Sequence, residues 1–217
     1  MGKQIQIRNM KNYTIIIPHK HTELNDLSLE LNLRMLQENS VNKDYELIIA
    51  EEEMDPYRLW NHYSEKAKHD ILVFSNSDVL MAKDWDLHLI ESVCENSIVT
   101  GYLVECGVIG VASENVHANF GNGPKDFRRE DFENFCVERA SSVPDIKNER
   151  GWYMPCAISK SLFTKMGMFD VSLPFPNPND SIFWDKCIAE GVQLKRAKSY
   201  AYHFQNLSNK EHEYKRV

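Results

Sequence analysis

An acid at the end of an apolar run is well placed in this sequence to bind a metal ion. Residues 71–74 read ILVF and lead directly into the polar segment SNSD at 75–78. Carboxylate oxygens are hard ligands that suit Mg²⁺ or Mn²⁺, and proteins hold these ions through one or two carboxylates together with substrate phosphates. Asp78 is therefore a candidate metal ligand. The alternative is an ordinary loop acid that caps the turn after the strand.

Three apolar runs predict the strands that position Asp78. They lie at 13–17, 46–50 and 70–78, and each ends in polar residues. Helical patterns fill the two intervals between them. Strand, helix, strand, helix, strand at this spacing predicts parallel pairing, with ligands gathering beyond the carboxyl ends of the strands.

Capping residues predict where the two intervening helices begin. Thr22 can cap the first helix, and Asp55 followed by Pro56 can open the second, which is expected to run to about residue 69. One face of the first helix is predicted to be apolar and to carry Leu24, Leu27, Leu31 and Met35.

The second half of the chain has weaker periodicity, so its elements are predicted from short patterns. A long irregular segment inside a compact domain is more often functional than idle, and residues 113–148 are predicted to bind an acceptor or to form a lid. The expected elements are a helix from about Asp84, strands at 98–103 and 108–112, a partly helical segment at 113–148, an apolar run at 152–158 in which Trp152 and Tyr153 precede a strand, a short helix capped by Ser159 and ending at Gly167, a helix capped by Asp180 and ended by Gly191, and closing strands at 194 and 199–203.

The composition indicates one globular α/β domain. The chain has 217 residues, 42% of them hydrophobic and 26% charged. Its 25 basic and 32 acidic residues are interspersed and give a formal charge of -7, so nucleic acid is not an expected partner. No transmembrane run or signal peptide is recognisable, and a soluble, cytoplasmic protein is expected. Five widely spaced cysteines without a CxxC pair are predicted to be reduced and mostly buried.

Five segments carry a resemblance that spans residues 13–204. In chain order they are IIIP, ELIIAEEE, WNHYSEKAKHDILVFSNSD, PCAISKSLFTKMGMFD and NDSIFWDKCIAEG. Their order and spacing resemble the inverting family-2 glycosyltransferases, which have the GT-A fold. The resemblance implies a single α/β domain of the GT-A type, with a Rossmann-like, mostly parallel central sheet flanked by helices and a small antiparallel addition. It implies a nucleotide-binding half at about 13–112, an acceptor-side half at about 113–204 and a tail at 205–217.

The resemblance implies that the loop after the first strand wraps the nucleotide of a sugar donor. Pro18 ends that strand, and Lys20 stands beside His19 and His21. By this match Pro18 lies near the donor base, and Lys20 could help to neutralise the diphosphate or contact the base edge.

Two further positions match donor-binding residues of the family. Glu52 matches the acid that contacts the donor base, with Glu51 one position away as the alternative, and a solvated acidic turn would look the same. Asn61 matches a helix residue that faces the nucleotide, although an ordinary polar helix face gives the same pattern.

The metal site implied by the resemblance departs from the family's pattern. Asn76-Ser77-Asp78 stands in the place of Asp-x-Asp, with Asn as the first residue. Asp78 would then hold Mn²⁺ or Mg²⁺ with the donor diphosphate, while Asn76 and Ser77 contact the donor. His203 stands where some relatives place a metal-binding His. Its alternative role is structural.

The resemblance also implies a catalytic base and an acceptor site. Asn179-Asp180 stands in the place of a Glu-Asp pair, so Asp180 would take the proton of the acceptor hydroxyl. An Asp at a helix start is also a good N-cap, and both roles can hold together. Trp152, Tyr153 and Asn179 would contact the acceptor, with core packing as the alternative for the two aromatic residues.

The function implied is metal-assisted transfer of a sugar from a nucleotide diphosphate to an acceptor hydroxyl, with inversion. A UDP-sugar is favoured, a GDP- or dTDP-sugar is possible, and the acceptor would be a glycan, a protein or a lipid-linked sugar. The amides at Asn76 and Asn179 keep open a catalytically silent module that binds a sugar nucleotide or a glycan. A sugar-1-phosphate nucleotidyltransferase is a weaker alternative, because the loop PHKHTELND lacks the glycines of a phosphate-binding loop.

Overall fold

Strands and helices alternate along the chain in the computed structural model, which describes residues 10–108, 110, 113–149, 154–172, 179–205 and 207. The strands are β1 (Tyr13–Pro18), β2 (Glu46–Ala50), β3 (Ile71–Phe74), β4 (Val79–Met81), β5 (Ser97–Glu105), β6 (Val116–His117), β7 (Ile146–Lys147), β8 (Cys156–Ser159) and β9 (Gln193–His203). The helices are α1 (Glu23–Asn39), α2 (Pro56–Lys66), α3 (Trp85–Glu91), α4 (Arg129–Ala140), α5 (Lys160–Lys165) and α6 (Asn179–Ala189).

The strands of the described residues form one sheet in the order β2-β1-β3-β8-β5-β9-β4, with β6 beside β5 and β7 beside β9. β1 pairs in parallel with β2 and β3, and β5 pairs in parallel with β9. β8 runs antiparallel between β3 and β5, and β4 runs antiparallel to β9. The predicted α/β class, with parallel first strands and an antiparallel addition, is confirmed.

The first strand explains why the sheet lies at the centre of the core. All six residues of β1 are buried, as expected for a strand covered on both faces. Because side chains alternate along a strand, Ile16 packs with Phe74 on one face of the sheet, whereas Ile15 and Ile17 pack with Trp85 on the other. The β-branched run of the sequence therefore forms the boundary between two apolar layers.

Local capping chemistry begins the helices where the sequence predicted. Thr22 accepts a hydrogen bond from the Asn25 amide, Asp55 accepts from Tyr57 and Arg58, and Ser159 accepts from Leu162. These bonds satisfy amides that have no partner inside the helix. The three predicted helix starts are confirmed, and the second helix ends at Lys66, three residues earlier than expected.

Several elements of the second half differ from the prediction. β4 was not predicted, and β5 runs to Glu105, beyond the expected end at 103. Val108 and Gly110 lie outside any strand, and residues 109, 111 and 112 of the predicted strand are outside the described residues. The helix predicted to be capped by Asp180 begins one residue earlier, at Asn179, so Asp180 lies inside its first turn. The segment 113–148 is partly helical as predicted, because it contains α4.

The cysteines also agree with the prediction. All five are free thiols, four of them buried and Cys94 exposed. Burial raises the pKa of Cys156 to about 12 and that of Cys187 to about 11, so these thiols stay protonated and behave as small apolar side chains.

Candidate functional site

A cleft of about 310 Å³ opens at the carboxyl ends of β3, β5 and β9. Its polar lining residues are Asn76, Glu105, Asp180 and His203, and its apolar lining includes Trp60. Three of these four polar residues were predicted as site residues from the sequence, and the fold brings them to one cavity. A concave site with a few convergent polar groups is where a small substrate is expected to bind.

The register of two strand pairs places His203 between two carboxylates. His203 on β9 stands opposite Val79 of β4 and opposite Glu105 of β5, and Asp78 directly precedes β4. The Nε2 atom of His203 lies 3.5 Å from Asp78 Oδ2, and its Nδ1 atom lies 3.2 Å from Glu105 Oε1. Each ring nitrogen therefore faces a carboxylate of its own.

The electrostatics of this trio favour charged groups despite their burial. Burial by itself lowers the pKa of His203, but the facing carboxylates of Asp78 and Glu105 outweigh it and raise that pKa to about 9. Burial by itself raises the pKa of Glu105, but hydrogen bonds from His203, Asn115 and Gln205, together with the charge of His203, outweigh it, so the pKa of Glu105 lies below its usual value. At neutral pH His203 therefore carries a proton, and a metal ion would displace that proton from Nε2 in order to bind the imidazole.

The donor atoms at this site fit a divalent metal ion. The Asp78 carboxylate and the His203 imidazole lie within 3.5 Å of each other, on the side of the ring away from Glu105. One carboxylate oxygen and one imidazole nitrogen leave most of the coordination positions of Mn²⁺ or Mg²⁺ to substrate phosphates and water. Metal-bound imidazoles usually donate their other N–H to a carboxylate, which is the position of Glu105.

Helix α1 holds the segment 76–78 through polar side chains. Ser28 donates a hydrogen bond to the Ser77 carbonyl at 3.0 Å, and Asn32 donates to the Asn76 carbonyl at 3.1 Å. Both helix residues are buried, whereas the predicted apolar-face residues Leu24, Leu27 and Leu31 are half-buried and Met35 is fully buried. The face of α1 that meets the site is thus polar, and its side-chain donors add to the hydrogen bond that the Asn76 carbonyl accepts from the Val79 amide at 3.2 Å.

Asp180 reaches the cleft from the first turn of α6. Its carboxylate accepts a hydrogen bond from the Ser181 amide at 2.8 Å. An acid in the first turn of a helix is stabilised by the helix dipole. Asn179 beside it is buried, and its side-chain oxygen has no hydrogen-bond partner among the described residues.

Three of the predicted donor residues, Pro18, Lys20 and Glu52, lie outside the lining of the 310 Å³ cleft, at the ends of β1 and β2 or in the loops that follow them. Pro18 is buried at the end of β1 opposite Ala50, and Lys20 is exposed in the next loop. Glu52 is exposed and accepts a hydrogen bond from the Tyr63 hydroxyl, which holds the pKa of Glu52 below its usual value. Their role toward a nucleotide stays a prediction.

Asn61 has a structural role that the sequence could not show. Its amide nitrogen donates to the Phe169 carbonyl at 2.8 Å, and its side-chain oxygen accepts from the Phe169 amide at 3.1 Å. The side chain thereby joins α2 to the segment that follows α5. These two bonds give the Asn61 side chain a structural role, and its predicted contact with a nucleotide stays a prediction.

The remaining predicted residues divide between the site and the undescribed part of the chain. Asn76 lines the cleft and Ser77 is buried. Trp152 and Tyr153 lie outside the described residues. Glu105 is the polar cleft residue that sequence reasoning missed, although the signal was present, because it is an acid that ends a strongly apolar strand.

No protein-family model matches the sequence, and no curated protein matches it. Among solved structures, the chain is similar to the crystal structure of GalNAc-T7 with UDP, GalNAc and Mn²⁺, with a TM-score of 0.59 and 12% sequence identity. The match covers 89% of this chain and 44% of that chain, so the chain spans less than half the length of that protein. At this identity the likeness shows the fold alone, which is GT-A-like.

Among the residues that the structure describes, no helix is both long enough and apolar enough to cross a bilayer.

Proposed function

We propose that this chain is a metal-assisted, family-2-like glycosyltransferase that moves a sugar from a nucleotide diphosphate to an acceptor hydroxyl. The observation that carries the proposal is the shared cleft of Asp180 and His203, with Asp78 3.5 Å from His203, at the carboxyl edge of a GT-A-like sheet. Carboxyl edges of such sheets bind ligands because loops from several strands converge there.

Asp78 and His203 would hold Mn²⁺ or Mg²⁺, which supplies positive charge to stabilise the leaving diphosphate. Glu105 would act as a positioning residue, because its bond to Nδ1 directs Nε2 of His203 toward Asp78. Asn76 lines the same cleft and can donate a neutral hydrogen bond to the donor without adding negative charge.

Asp180 would act as the general base. As the acceptor oxygen forms its bond to the anomeric carbon, the bond from that carbon to the diphosphate oxygen breaks and its electron pair leaves with the diphosphate. The acceptor proton passes to the Asp180 carboxylate. Attack from the face opposite the diphosphate inverts the anomeric centre, in keeping with the resemblance of the sequence.

The donor and acceptor assignments follow the sequence pattern. The base and phosphates of the donor would contact Pro18, Lys20 and Glu52. Asn61 would face the nucleotide from helix α2. UDP is the favoured nucleotide, since the structurally similar GalNAc-T7 was crystallised with UDP and Mn²⁺, and GDP and dTDP are the alternatives. Trp152, Tyr153 and Asn179 would meet the acceptor, which would be a glycan, a protein or a lipid-linked sugar.

A ligand screen followed by a turnover assay tests the proposal. UDP-, GDP- and dTDP-sugars are added with Mn²⁺ or with EDTA. The correct donor is expected to raise the melting temperature of the protein when Mn²⁺ is present and not when EDTA is present. With the donor identified, transfer or donor hydrolysis is measured for the natural chain and for Asp180→Asn. Asp180→Asn is expected to bind the donor and to lower turnover by roughly 10²- to 10⁴-fold.

The controls separate an enzyme from a binding module. Asp185→Asn replaces an exposed acid on the same helix and should leave turnover unchanged. Metal-dependent donor binding without measurable transfer or hydrolysis would identify the silent sugar-nucleotide module. Turnover that is equal in Asp180→Asn and the natural chain would remove Asp180 as the base, and NMR of the product anomer decides inversion directly.

A further inference from the structure

A second cluster of metal-ligating side chains lies outside the 310 Å³ cleft, in the loop between β1 and α1. The Nε2 atom of His19 lies 2.8 Å from Asp26 Oδ1, and the Nδ1 atom of His21 lies 3.0 Å from the same oxygen. The two imidazole rings are 4.8 Å apart and nearly perpendicular, at 87°. Ligand atoms from the three residues all lie within 4.8 Å of one another, so one ion could contact all three.

The three residues are fixed to different degrees, as in a site that is held on one side and open on the other. The His19 side chain is 1% exposed, whereas those of His21 and Asp26 are 66% and 50% exposed. The His19 amide also donates to the Ala50 carbonyl at 2.8 Å, which continues the pairing of β1 with β2. Asp26 stands in the first turn of α1, which Thr22 caps. His19 therefore comes from the buried end of a strand and Asp26 from a helix. Solvent can reach Asp26 and His21.

The second carboxylate near this cluster occupies the position of an outer partner. Glu51 Oε1 lies 3.6 Å from His21 Nε2, the ring nitrogen that faces away from Asp26. Imidazoles that bind a metal through one nitrogen commonly direct the other N–H toward a carboxylate, which fixes the tautomer. Glu51 follows β2 directly, so this contact links the loop after β1 to the end of the neighbouring strand.

The pairings within the cluster give a reason to prefer a metal over a simple ion pair. A single carboxylate oxygen receives both imidazoles, and His19 has Asp26 as the polar partner of its ring among the described residues, since its Nδ1 atom has none there. The Nε2 atom of the buried His19 thus points to the same Asp26 oxygen as the Nδ1 atom of His21, and ligands of one metal ion converge in this way. Bonds from zinc to His and Asp are about 2.0–2.2 Å, and movements of a few tenths of an ångström would admit the ion between these atoms.

We propose that His19, His21 and Asp26 bind a zinc-class divalent ion. Two imidazoles and one carboxylate favour Zn²⁺ or its neighbours over the oxygen-preferring Mg²⁺, and solvent or a ligand atom takes the remaining position. The site is separate from the Asp78 and His203 pair and does not rest on the proposed function. A bound ion would join the loop after β1 to helix α1 at Asp26, and the contact of His21 with Glu51 would link it to the end of β2.

Cobalt titration of tag-free protein tests the site. Co²⁺ takes the place of Zn²⁺, and its visible absorption reports imidazole and carboxylate ligands. The titration is run in an Asp78→Ala background, so that the other pair of ligands is disabled, and repeated with Zn²⁺ by calorimetry. We expect one equivalent of metal, with affinity lowered by about 100-fold or more in His21→Ala and Asp26→Asn, and by roughly 10- to 100-fold in Glu51→Gln.

The variants are chosen so that folding does not decide the result. His21 and Asp26 are at least half exposed, and circular dichroism should be unchanged, whereas His19 is buried and is left intact. His117→Ala removes an exposed histidine on β6 and should bind metal as its parent does. If Asp78→Ala does not fold, the same titration of the natural chain should show two equivalents and that of His21→Ala one.

Two results would overturn the site. One is the absence of saturable Co²⁺ and Zn²⁺ binding in the Asp78→Ala background. The other is equal affinity in the parent, His21→Ala and Asp26→Asn, which would leave the cluster as an ion pair. Neither result bears on sugar transfer, because no donor is present in the experiment.

Discussion

Two carboxylates of this molecule, the fully buried Asp86 and the partly buried Asp78, have different kinds of partner. Asp86 on α3 is completely buried and accepts hydrogen bonds from the amides of Val41 and Asn42, at 2.8 and 2.9 Å, and from the Tyr13 hydroxyl at 3.0 Å. All of these donors are neutral and held by the fold. Burial raises the pKa of Asp86, and the three hydrogen bonds oppose that rise.

Asp78 has a charged partner that lines a cleft. It pairs with His203, which in turn contacts Glu105 and lines the cavity. Glu105 is buried as well, yet its pKa is lowered. The comparison shows that burial alone does not distinguish a structural carboxylate from a candidate functional one. Neutral donors that the fold holds in place satisfy the hydrogen-bonding capacity of Asp86. The partner of Asp78 is a titratable histidine beside a cavity, so Asp78 can exchange this contact for one with a ligand.

Removing Asp78 should produce the largest effect and should separate function from stability. Asp78→Ala is expected to abolish metal-dependent donor binding, because a carboxylate ligand is lost, while the chain stays folded. The melting-temperature shift on adding Mn²⁺ and donor measures this. Asn76→Ala is the matched control, since it alters the same loop and should only weaken binding. A shift in Asp78→Ala equal to that of the natural chain would contradict the assignment.

Removing Asp86 should lower the stability of the fold and leave donor binding intact. Asp86→Ala leaves two amides and a hydroxyl without an acceptor in the core, and the free energy of unfolding should fall by about 3 kcal/mol. Urea denaturation measures this loss, and donor binding should persist in the folded protein. Glu95→Ala, at an exposed acid after α3, should change stability by less than about 0.5 kcal/mol. Equal stability of Asp86→Ala and the natural chain would show that water replaces the carboxylate.

Glu105 tests whether the partner of His203 tunes the site. Glu105→Gln keeps the size of the side chain and an oxygen that can accept from Nδ1, but it removes the charge. We expect metal affinity to fall by roughly 10- to 100-fold. Calorimetry with Mn²⁺, in the presence and absence of donor, measures the change. An unaltered affinity would assign Glu105 to the same structural class as Asp86.

Replacing Glu46 should have the smallest effect on stability, and it extends the comparison to a half-buried carboxylate at the start of β2. Burial by itself raises the pKa of Glu46, but hydrogen bonds from the Lys68 amide and the Thr14 hydroxyl, each at 2.7 Å, outweigh it and lower that pKa. Because the pKa of Glu46 is lower in the folded than in the unfolded chain, Glu46 stabilises the fold at pH values above its ordinary pKa of 4.5. This stabilisation is lost as the pH falls through the pKa of the folded state.

In Glu46→Gln, the decline of stability below pH 4.5 should therefore be shallower than in the natural chain. Urea midpoints measured from pH 6 to pH 3 would show it. Asp86 has the opposite sign, since its raised pKa makes its contribution to folding fall as the pH rises above 3.8. An acid limb of the same slope in Glu46→Gln and the natural chain would mean that these two hydrogen bonds persist in the unfolded state.

Local patterns in the sequence predicted the elements that depend on near neighbours. The apolar runs of β1, β2 and β3, and the caps Thr22 and Asp55, lie where the prediction put them. Each depends on side-chain alternation or on a bond to an amide two or three residues away, both of which can be read along the chain. The α/β class followed from the same local information, whereas β3 ends at Phe74 and Asp78 lies in the turn that leads into β4, not at the end of the predicted strand.

The tertiary structure decided what those elements bring together. The contact of Glu105 with His203 and the polar face of α1 depend on strand register and helix docking, which join residues far apart in sequence. Local patterning cannot report them, because a buried asparagine and an exposed one look alike until the partner carbonyl is in place. The sequence by itself therefore determined that acids end the buried strands, and the fold determined which of them, Asp78 and Glu105, share one imidazole at a cleft.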